Sequence, residues 1–204
     1  RNYSFAVGIR SVLRQDPDAI MVGEIRDFET AETAIRVSLT GRLLISTLHA
    51  NNSIGAVSRL LDMKIPPDIL SYALTGVIGR RLARRVCEGC RAAYTPPQSI
   101  TDALGLGDGE PFFHGTGCEA CGGTGLHGRI GLFEVLVIHE GLRRLIVNGA
   151  SPEEILLEAR KSSFKTLRED GIEKIRLGLI SPDEVEHFHV MLNAWWEPLS
   201  FELP

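Results

Sequence analysis

The chain of 204 residues lacks long hydrophobic runs, and none approaches the roughly 18 residues that a membrane span needs. It does not begin with Met, and no cationic segment followed by an apolar stretch opens it, so no signal peptide is visible. The first absence excludes a membrane-spanning helix. With 44% hydrophobic residues the chain can bury a core of one or two domains. We expect a fragment that starts inside a larger domain.

The chain also lacks a strong excess of one charge, because its net charge is only -4. Residues 1–86 carry 12 Lys/Arg against 8 Asp/Glu, a balance of +4. Residues 87–150 carry 4 against 7, and residues 151–204 carry 6 against 11, which gives -3 and -5. A basic first part suits phosphate ligands, whereas the acidic remainder argues against a chain that coats nucleic acid.

Two short apolar runs lie between Asp16 and Asn51, Ala19–Val22 and Leu43–Leu48. Runs of this length, bounded by turn residues, predict strands that are buried on both faces of a parallel sheet. Between them, Gly41 suits the end of a helix, and apolar or small residues recur at helical spacing. These residues are Ala31, Ala34, Ile35, Ser38 and Leu39. The segment therefore predicts a strand-helix-strand unit with a parallel crossover.

Each predicted strand leads into a polar residue suited to chemistry, Glu24 after the first and His49 after the second. The carboxyl ends of parallel strands meet at one edge, where open α/β sheets bind ligands. We therefore expect Glu24 and His49 to lie side by side in a site. The alternatives are a solvated helix cap for Glu24 and a surface imidazole for His49; two such residues at one edge favour function.

The only cysteines form two Cys-x-x-Cys pairs, Cys87 with Cys90 and Cys118 with Cys121, separated by 27 residues. Each pair places two thiolates on one tight turn, which suits tetrahedral zinc. The alternatives are two disulfides, which the lack of an export signal disfavours, or four unrelated thiols. Four thiolates fill the coordination shell, so the nearby His114 and His127 are interpreted as surface residues.

An arginine-rich stretch, Gly79–Val86, precedes the cysteines and is interpreted as a helix. Its four arginines would then share one face, either as a solvated helix end or as a contact for phosphate or an acidic subunit. Further predicted helices cover Ile54–Leu61, Pro67–Ile78 and Leu167–Leu177, two more begin at Ser151 and Ser181, and Arg129–Val137 is a predicted strand. The Trp195-Trp196 pair could dock on the body or on a partner.

These residues resemble the secretion ATPases of type II secretion and type IV pilus assembly, up to about residue 188. Gly-Glu-Ile-Arg-Asp together with Ser-Thr-Leu-His is specific to that group. The resemblance also rests on both cysteine pairs and on the following segments. They are Ser11–Asp18, Met21–Thr30, Leu39–Gly41, Ser46–Asn51, Gly128–Glu134 and Thr166–Gly171. The cysteine insertion indicates the assembly or secretion branch rather than the pilus retraction ATPases.

The resemblance implies an α/β fold, a partial RecA-like P-loop ATPase core with a tetracysteine zinc-binding insertion and a C-terminal helical subdomain. The implied domains are the core portion, residues 1–86, the zinc module, 87–125, and the remaining strand and helices, 126–204. It implies that Glu24 is the Walker B acid and that His49 senses the γ-phosphate or a neighbouring subunit.

The same resemblance assigns nucleotide binding to Gly23, Arg26 and Asp27, and to Arg10 and Arg14, without naming either of the last two as an arginine finger. The implied cofactors are ATP, Mg²⁺ and Zn²⁺. The implied assembly is a homo-hexamer in the cytoplasm, peripheral to the inner membrane through a platform protein of the pilus or secretion machine.

One departure from the family pattern is decisive: no Gly-x-x-x-x-Gly-Lys-Ser/Thr loop occurs, and that loop holds the nucleotide phosphates. The chain is therefore expected to be the C-terminal part of an ATPase that drives pilus assembly or protein secretion, and to be inactive alone. The alternatives are a non-catalytic zinc-containing docking module and a zinc-ribbon nucleic-acid binder, which predicts salt-sensitive binding to DNA or RNA.

Overall fold

The computed structural model describes residues 5–107 and 110–185. These residues pack as two compact units. One contains the described residues up to Gly79 together with Val135–Phe164, and the second contains those of Arg80–Glu134 and the described residues from Lys165 onward. The Trp195-Trp196 pair, which could dock on the body or on a partner, lies outside the described residues.

The first unit is built mainly from helices around one parallel strand pair. Its elements are α1 (Phe5–Val12), β1 (Ala19–Ile25), α2 (Phe28–Ser38), β2 (Leu43–Leu48), α3 (Ser53–Asp62), α4 (Pro67–Ala73), α6 (Glu140–Val147) and α7 (Pro152–Ala159). The second unit holds β4 (Arg91–Tyr94), α5 (Gln98–Leu104), β5 (Phe112–Gly115) and α8 (Leu167–Arg176). Strands β3 (Gly76–Val86) and β6 (Leu126–Val137) pair with each other, and each contributes residues to both units.

The predicted strand-helix-strand unit is confirmed. Strand β1 pairs in parallel with β2, with Ala19 opposite Leu43 and Met21 opposite Ile45. Helix α2 connects them, and the chain turns after it at Gly41, whose φ of 89° is a conformation that favours glycine. The carboxyl ends of β1 and β2 therefore lie at the same edge.

The prediction that both faces of this sheet are buried is wrong for the described residues. On one face Ile20 and Val22 are buried and form a small core with Ile9 and Val37. On the other face Met21 is 75% exposed, and Leu43 and Ile45 are 59% and 52% exposed. The described sheet has only these two strands, and no described element covers the second face.

The predicted arginine helix over Gly79–Val86 is also wrong, since these residues belong to strand β3. The amide of Ile138 donates to the carbonyl of Thr75, and that of Cys87 donates to the carbonyl of Gly125, so β3 and β6 run antiparallel. This pairing overrides the helical propensity of the arginines. For the same reason α4 ends at Ala73 and does not continue to Ile78.

The other helix predictions agree with the structure. Helix α7 begins with a capping box in which Ser151 and Glu154 bond each other's backbone, and α8 follows Thr166 in the same way. Residues 182–185 are helical as well, in agreement with the predicted helix start at Ser181. In this helix the carboxylate of Glu184 binds Arg84. The Arg129–Val137 strand is confirmed within β6.

Two sequence segments singled out above, Gly128–Glu134 and Thr166–Gly171, bind each other in the second unit. The amide of Leu167 donates to the buried carboxylate of Glu134 at 3.1 Å. The amide of Phe133 donates to Asp170 at 2.8 Å. A carboxylate is stabilised at a helix N-terminus, so Glu134 anchors the start of α8 against β6. These segments are scaffold.

Each unit has its own hydrophobic core. In the first unit, buried side chains of α3, α6 and α7 pack together, among them Val57, Leu142, Ile146 and Ile155. In the second unit, residues of α5 and α8 surround Leu132 of β6. The cysteine pairs flank the β4-α5-β5 segment, which packs on this second core through Leu104 and Phe112.

Candidate functional site

The first candidate site lies at the carboxyl end of the β1–β2 pair. Glu24 sits where the pairing register shifts between Val22 and Ile25. Its side chain is 22% exposed, and its Oε1 lies 2.6 Å from Nη2 of Arg26. The irregular strand end thus holds a carboxylate that is tied to a nearby guanidinium and still reaches solvent.

His49 follows β2 and lies against the same carboxylate. Its Nε2 is 3.4 Å from Oε2 of Glu24, and its side chain is 81% exposed. The structure therefore brings together the two residues that sequence reasoning placed at this edge. Their catalytic roles stay predictions.

The electrostatics of the edge keep Glu24 ionised. The hydrogen bond from Arg26 lowers the pKa of the Glu24 carboxyl, and His49 adds a smaller effect in the same direction. A carboxylate that stays charged at neutral pH can orient a water molecule or contribute to the shell of a cation. It does not serve as a proton donor there.

Thr47 is a contributor that sequence reasoning missed. Its hydroxyl donates to the carbonyl of Gly23 at 2.7 Å, directly before Glu24. This bond ties β2 to β1 where the backbone pairing becomes irregular. The available signal was its position in the Ser-Thr-Leu-His segment, since a threonine in a strand end can replace a missing ladder bond.

Asp27, Arg10 and Arg14, which are also predicted to bind the nucleotide, make contacts of other kinds. Asp27 is the N-cap of α2, and its Oδ1 accepts from the amide of Thr30 at 2.8 Å. Arg10 pairs with Glu29 at 3.3 Å and lines a groove of about 500 Å³ between α1 and α2. Arg14 is exposed in the turn after α1. Glu24 and His49 do not line that groove.

The second candidate site is the cysteine cluster of the second unit. The four sulfurs of Cys87, Cys90, Cys118 and Cys121 all lie within 4.8 Å of one another. Three of the separations are 3.8, 3.8 and 3.7 Å. Four thiolates around one zinc ion at tetrahedral angles lie about 3.8 Å apart. The cluster therefore has the size of a structural zinc site.

Backbone amides point at the sulfurs. Gly117 donates to Cys90 at 3.3 Å, and Cys118 and Gly125 donate to Cys121 at 3.2 Å each. The bond from Cys118 is the main reason that the pKa of Cys121 falls to about 6, whereas burial raises the pKa of Cys90 to about 11. Since thiolates coordinate metals, these amides favour a bound cation.

The histidines near the cysteines are not part of the cluster. His127 is exposed on β6, and His114 stacks on Tyr94 with ring centroids 4.5 Å apart. Tyr94 in turn donates to Asp183 at 2.9 Å. Both histidines therefore lie outside the metal shell, as expected. His127 is a surface residue, as interpreted, whereas His114 is half-buried against Tyr94 and is not.

Comparison with known protein families gives the context for both sites. Residues 1–187 match the family described as "Type II/IV secretion system protein". The chain belongs to this family. It is 47% identical over 186 residues to the type IV pilus assembly ATPase PilB of Thermus thermophilus, covering 89% of the chain and 21% of that protein.

A second family member is similarly close. The chain is 45% identical over 184 residues to the type II secretion system protein E of Dickeya dadantii, covering 89% of the chain and 36% of that protein. The chain thus spans about a third or less of these curated relatives. No helix within residues 5–107 and 110–185 is long and apolar enough to cross a membrane.

Solved structures confirm the fold class. The pilus retraction motor PilT with bound ADP superposes with a TM-score of 0.63 and 26% identity, over 91% of the chain and 43% of that structure. The Legionella pneumophila ATPase DotB gives 0.63 at 23% identity, over 92% and 42%. Strands β1 and β2, with α2 between them, therefore belong to part of the family's α/β ATPase fold. The same chain also contains a four-cysteine cluster.

Proposed function

We propose that the complete protein hydrolyses ATP to drive type IV pilus assembly or type II secretion, and that this chain supplies its Walker B and histidine segments. One observation carries the proposal: Glu24 and His49 meet at the carboxyl edge of two parallel strands, 3.4 Å apart. Family membership and relatives named as secretion and pilus ATPases support it.

Glu24 is the proposed catalytic carboxylate. Ionised and partly exposed, it would accept a hydrogen bond from the attacking water and orient it toward the γ-phosphorus. Arg26 holds the carboxylate in place, and the Thr47 bond to Gly23 fixes the backbone before it. His49, on the exposed side of the pair, is placed to sense the phosphate or a neighbouring subunit.

Nucleotide binding is proposed for five further residues. Gly23, Arg26 and Asp27 surround Glu24 in the chain, and Arg10 and Arg14 add positive charge to the first unit. When bound, Mg²⁺ neutralises charge on the phosphates. The phosphate-binding loop itself is absent from the sequence, so we expect the isolated chain to bind ATP weakly and not to hydrolyse it.

The four cysteines are the proposed ligands of one zinc ion with a folding role. Four sulfurs leave no open coordination position for a water molecule, which excludes a hydrolytic role. We retain the division by role into a core portion, 1–86, a zinc module, 87–125, and a C-terminal strand and helical subdomain, 126–204.

The proposed assembly is a cytoplasmic homo-hexamer that reaches the inner membrane through a platform protein. An exposed His49 and an arginine of the adjoining subunit would complete the charge around the transferred phosphoryl group, as arginine fingers do in other nucleotide hydrolases. Pilus assembly and secretion would then differ in the partners of the ring.

The decisive experiment compares Glu24→Gln with the unmodified complete protein. Glutamine keeps the shape of the side chain and removes its charge. We expect turnover to fall by at least about 10²-fold, the low end for loss of a positioned catalytic group, with nucleotide affinity preserved. Both are measured on the same preparation, together with the isolated chain, for which we expect no turnover above buffer.

A matched control is Glu140→Gln. Glu140 is also a carboxylate paired with an arginine, 3.3 Å from Arg144, but it lies on α6. This variant should keep normal turnover. Near-normal turnover of Glu24→Gln would contradict the Walker B assignment and favour a non-catalytic docking module.

A further inference from the structure

The second unit carries an exposed surface, here named the arginine face, at whose border Nζ of Lys174 on α8 lies 5.9 Å from the centroid of the Phe133 ring. It consists of Arg80, Leu82 and Arg84 on β3 with Arg129 and Phe133 on β6. Alternate residues of a strand share one side, so each set lies on a single face. Leu82 is 42% exposed and Phe133 is 45% exposed. Large apolar side chains beside cations are a typical docking surface.

The strand pairing places both sets on the same side. Counted from the bond between Thr75 and Ile138, Arg80 stands opposite Phe133, and the amide of Phe133 points away from β3 and donates to Asp170. The bond from Cys87 to Gly125 is one residue out of this register, so the pairing shifts before Cys87. The ring of Phe133 lies across Gly131, since a Cβ added there would be 2.5 Å from the ring. Glycine at 131 therefore leaves the space that the edge of the aromatic ring occupies.

Only one of the three arginines has an acidic partner among the described residues. Arg84 donates to the carboxylate of Glu184, with Nε 2.9 Å from Oε1. Arg80 and Arg129 have no carboxylate partner among residues 5–107 and 110–185. Within the described part of the chain, the face therefore presents two positive charges without an acidic partner beside its apolar side chains.

The last described residues of the chain run along the edge of β3. The amide of Val86 donates to the carbonyl of Leu179 at 2.9 Å, and the amide of Arg84 donates to Glu184 at 2.9 Å. Residues 179–184 thus follow the edge of β3. Beyond Val185 the chain continues into residues 186–204, and Glu184, two residues before that segment, binds Arg84 of the arginine face.

The composition of residues 186–204 complements the arginine face. The segment has three acidic residues and no Lys or Arg, giving -3 before histidine is counted. It also contains four aromatic residues among its nineteen. The acids are Glu186, Glu197 and Glu202, and the aromatics are Phe188, Trp195, Trp196 and Phe201.

We propose that residues 186–204 dock on the arginine face of the same chain. The acidic side chains would pair with Arg80 and Arg129, and the aromatic side chains would cover Leu82 and Phe133. Reach is not limiting: Arg80 is four residues along β3 from Arg84, about 13 Å, and an extended chain covers that distance in about four residues.

Tryptophan fluorescence tests this on the full chain, because both tryptophans, Trp195 and Trp196, lie in the segment. In the folded chain we expect a blue-shifted emission and an acrylamide quenching constant lower by about two-fold or more than in a synthetic peptide of residues 186–204. Arg80→Glu with Arg129→Glu should shift both readings toward those of the peptide.

The control reverses two exposed cations elsewhere, Arg59→Glu with Lys64→Glu, and should leave the emission unchanged. Adding Glu197→Arg and Glu202→Arg to the face variant should restore the wild-type reading, which a folding defect would not permit. Circular dichroism checks that each variant is folded.

Three results would overturn the proposal. The first is wild-type tryptophans as accessible as those of the peptide. The second is buried tryptophans that do not respond to reversal of Arg80 and Arg129. The third is burial that disappears on dilution, since the segment would then dock on a second copy of the chain.

Discussion

The cysteine cluster and the strand-end pair are built to different degrees of completeness. Four sulfurs converge within 4.8 Å, with three backbone amides directed at two of them. Glu24 and His49 share a single 3.4 Å contact, and the imidazole is 81% exposed. The cysteine cluster holds all the ligands that a zinc ion takes. The strand-end pair offers only a carboxylate and an imidazole, and the molecule on which they act must bind there first.

This difference teaches how each site depends on its surroundings. A closed metal site contributes folding energy to the residues around it, so loss of the metal should strongly destabilise those residues. Substitutions at an open strand edge change the stability of the fold little. The edge becomes an active site only when further groups are supplied. Stability and turnover should therefore respond to different residues.

The largest effect is expected for Cys118→Ser. Serine leaves a three-ligand site, so we expect zinc affinity to fall by well over about 100-fold, the upper loss seen when only outer-shell partners are disturbed. Cys87–Gly125 should lose its folded structure while the β1–β2 pair survives. Elemental analysis and circular dichroism measure this.

The control for that variant is Thr116→Ala, which removes only the hydroxyl bond to the Cys90 carbonyl at 3.2 Å in the same loop. It should keep one zinc per chain. A folded Cys118→Ser protein without metal would show that the cluster is not a folding element.

A smaller effect is expected for His49→Ala in the complete protein. We expect turnover to fall by about tenfold, less than for removal of a general base, because His49 contacts only one oxygen of the Glu24 carboxylate, Oε2. The loss should grow with protein concentration if His49 senses a neighbouring subunit. His127→Ala, an exposed imidazole of the second unit, is the control for turnover against concentration. An equal loss at all concentrations would contradict subunit sensing.

The smallest effect is expected for Asp27→Ala, which removes the N-cap of α2 at a cost of about 1 kcal/mol. Asn52→Ala removes the corresponding cap of α3 and should cost a similar amount. Nucleotide affinity of the complete protein separates the two variants: a loss confined to Asp27→Ala supports its binding role, and equal affinities leave Asp27 as a cap only.

The Asp27 cap also predicts a pH dependence. The hydrogen bond from Thr30 lowers the pKa of the folded Asp27 carboxyl below its ordinary 3.8. Its stabilisation is therefore complete above that value and is lost as the pH falls through the folded pKa. The stability difference between wild type and Asp27→Ala, measured by urea unfolding, should shrink below about pH 4. A difference independent of pH there would contradict the cap's charge.

Local patterns predicted most of what is local. The β1-α2-β2 unit, its helix stop at Gly41 and the capping box at Ser151 follow from apolar periodicity and terminal signals, and the structure has all three. The cysteine spacing predicted a cluster that the backbone then forms. Such features depend on neighbours in sequence or on a repeated ligand pair.

The sequence-based predictions failed where contacts between residues far apart in the chain determine the structure. Arginines over Gly79–Val86 favour a helix locally, but pairing with β6, about fifty residues away, makes the segment a strand. The apolar runs of β1 and β2 gave no sign of which face would be covered among the described residues. Thr47, too, was missed because its bond to Gly23 crosses between strands.

Hydrogen–deuterium exchange of the full chain, with zinc bound and after chelation, tests most directly the claim that the two sites are separate. Chelation should increase exchange of the amides that face sulfur, Gly117, Cys118 and Gly125, and of the module around them. The amide of Leu43, bonded to Asp18 at the start of β2, should stay protected. Restored zinc should reverse the change. Equal loss of protection at β2 and the cysteines, or no change at the cysteines, would contradict the account.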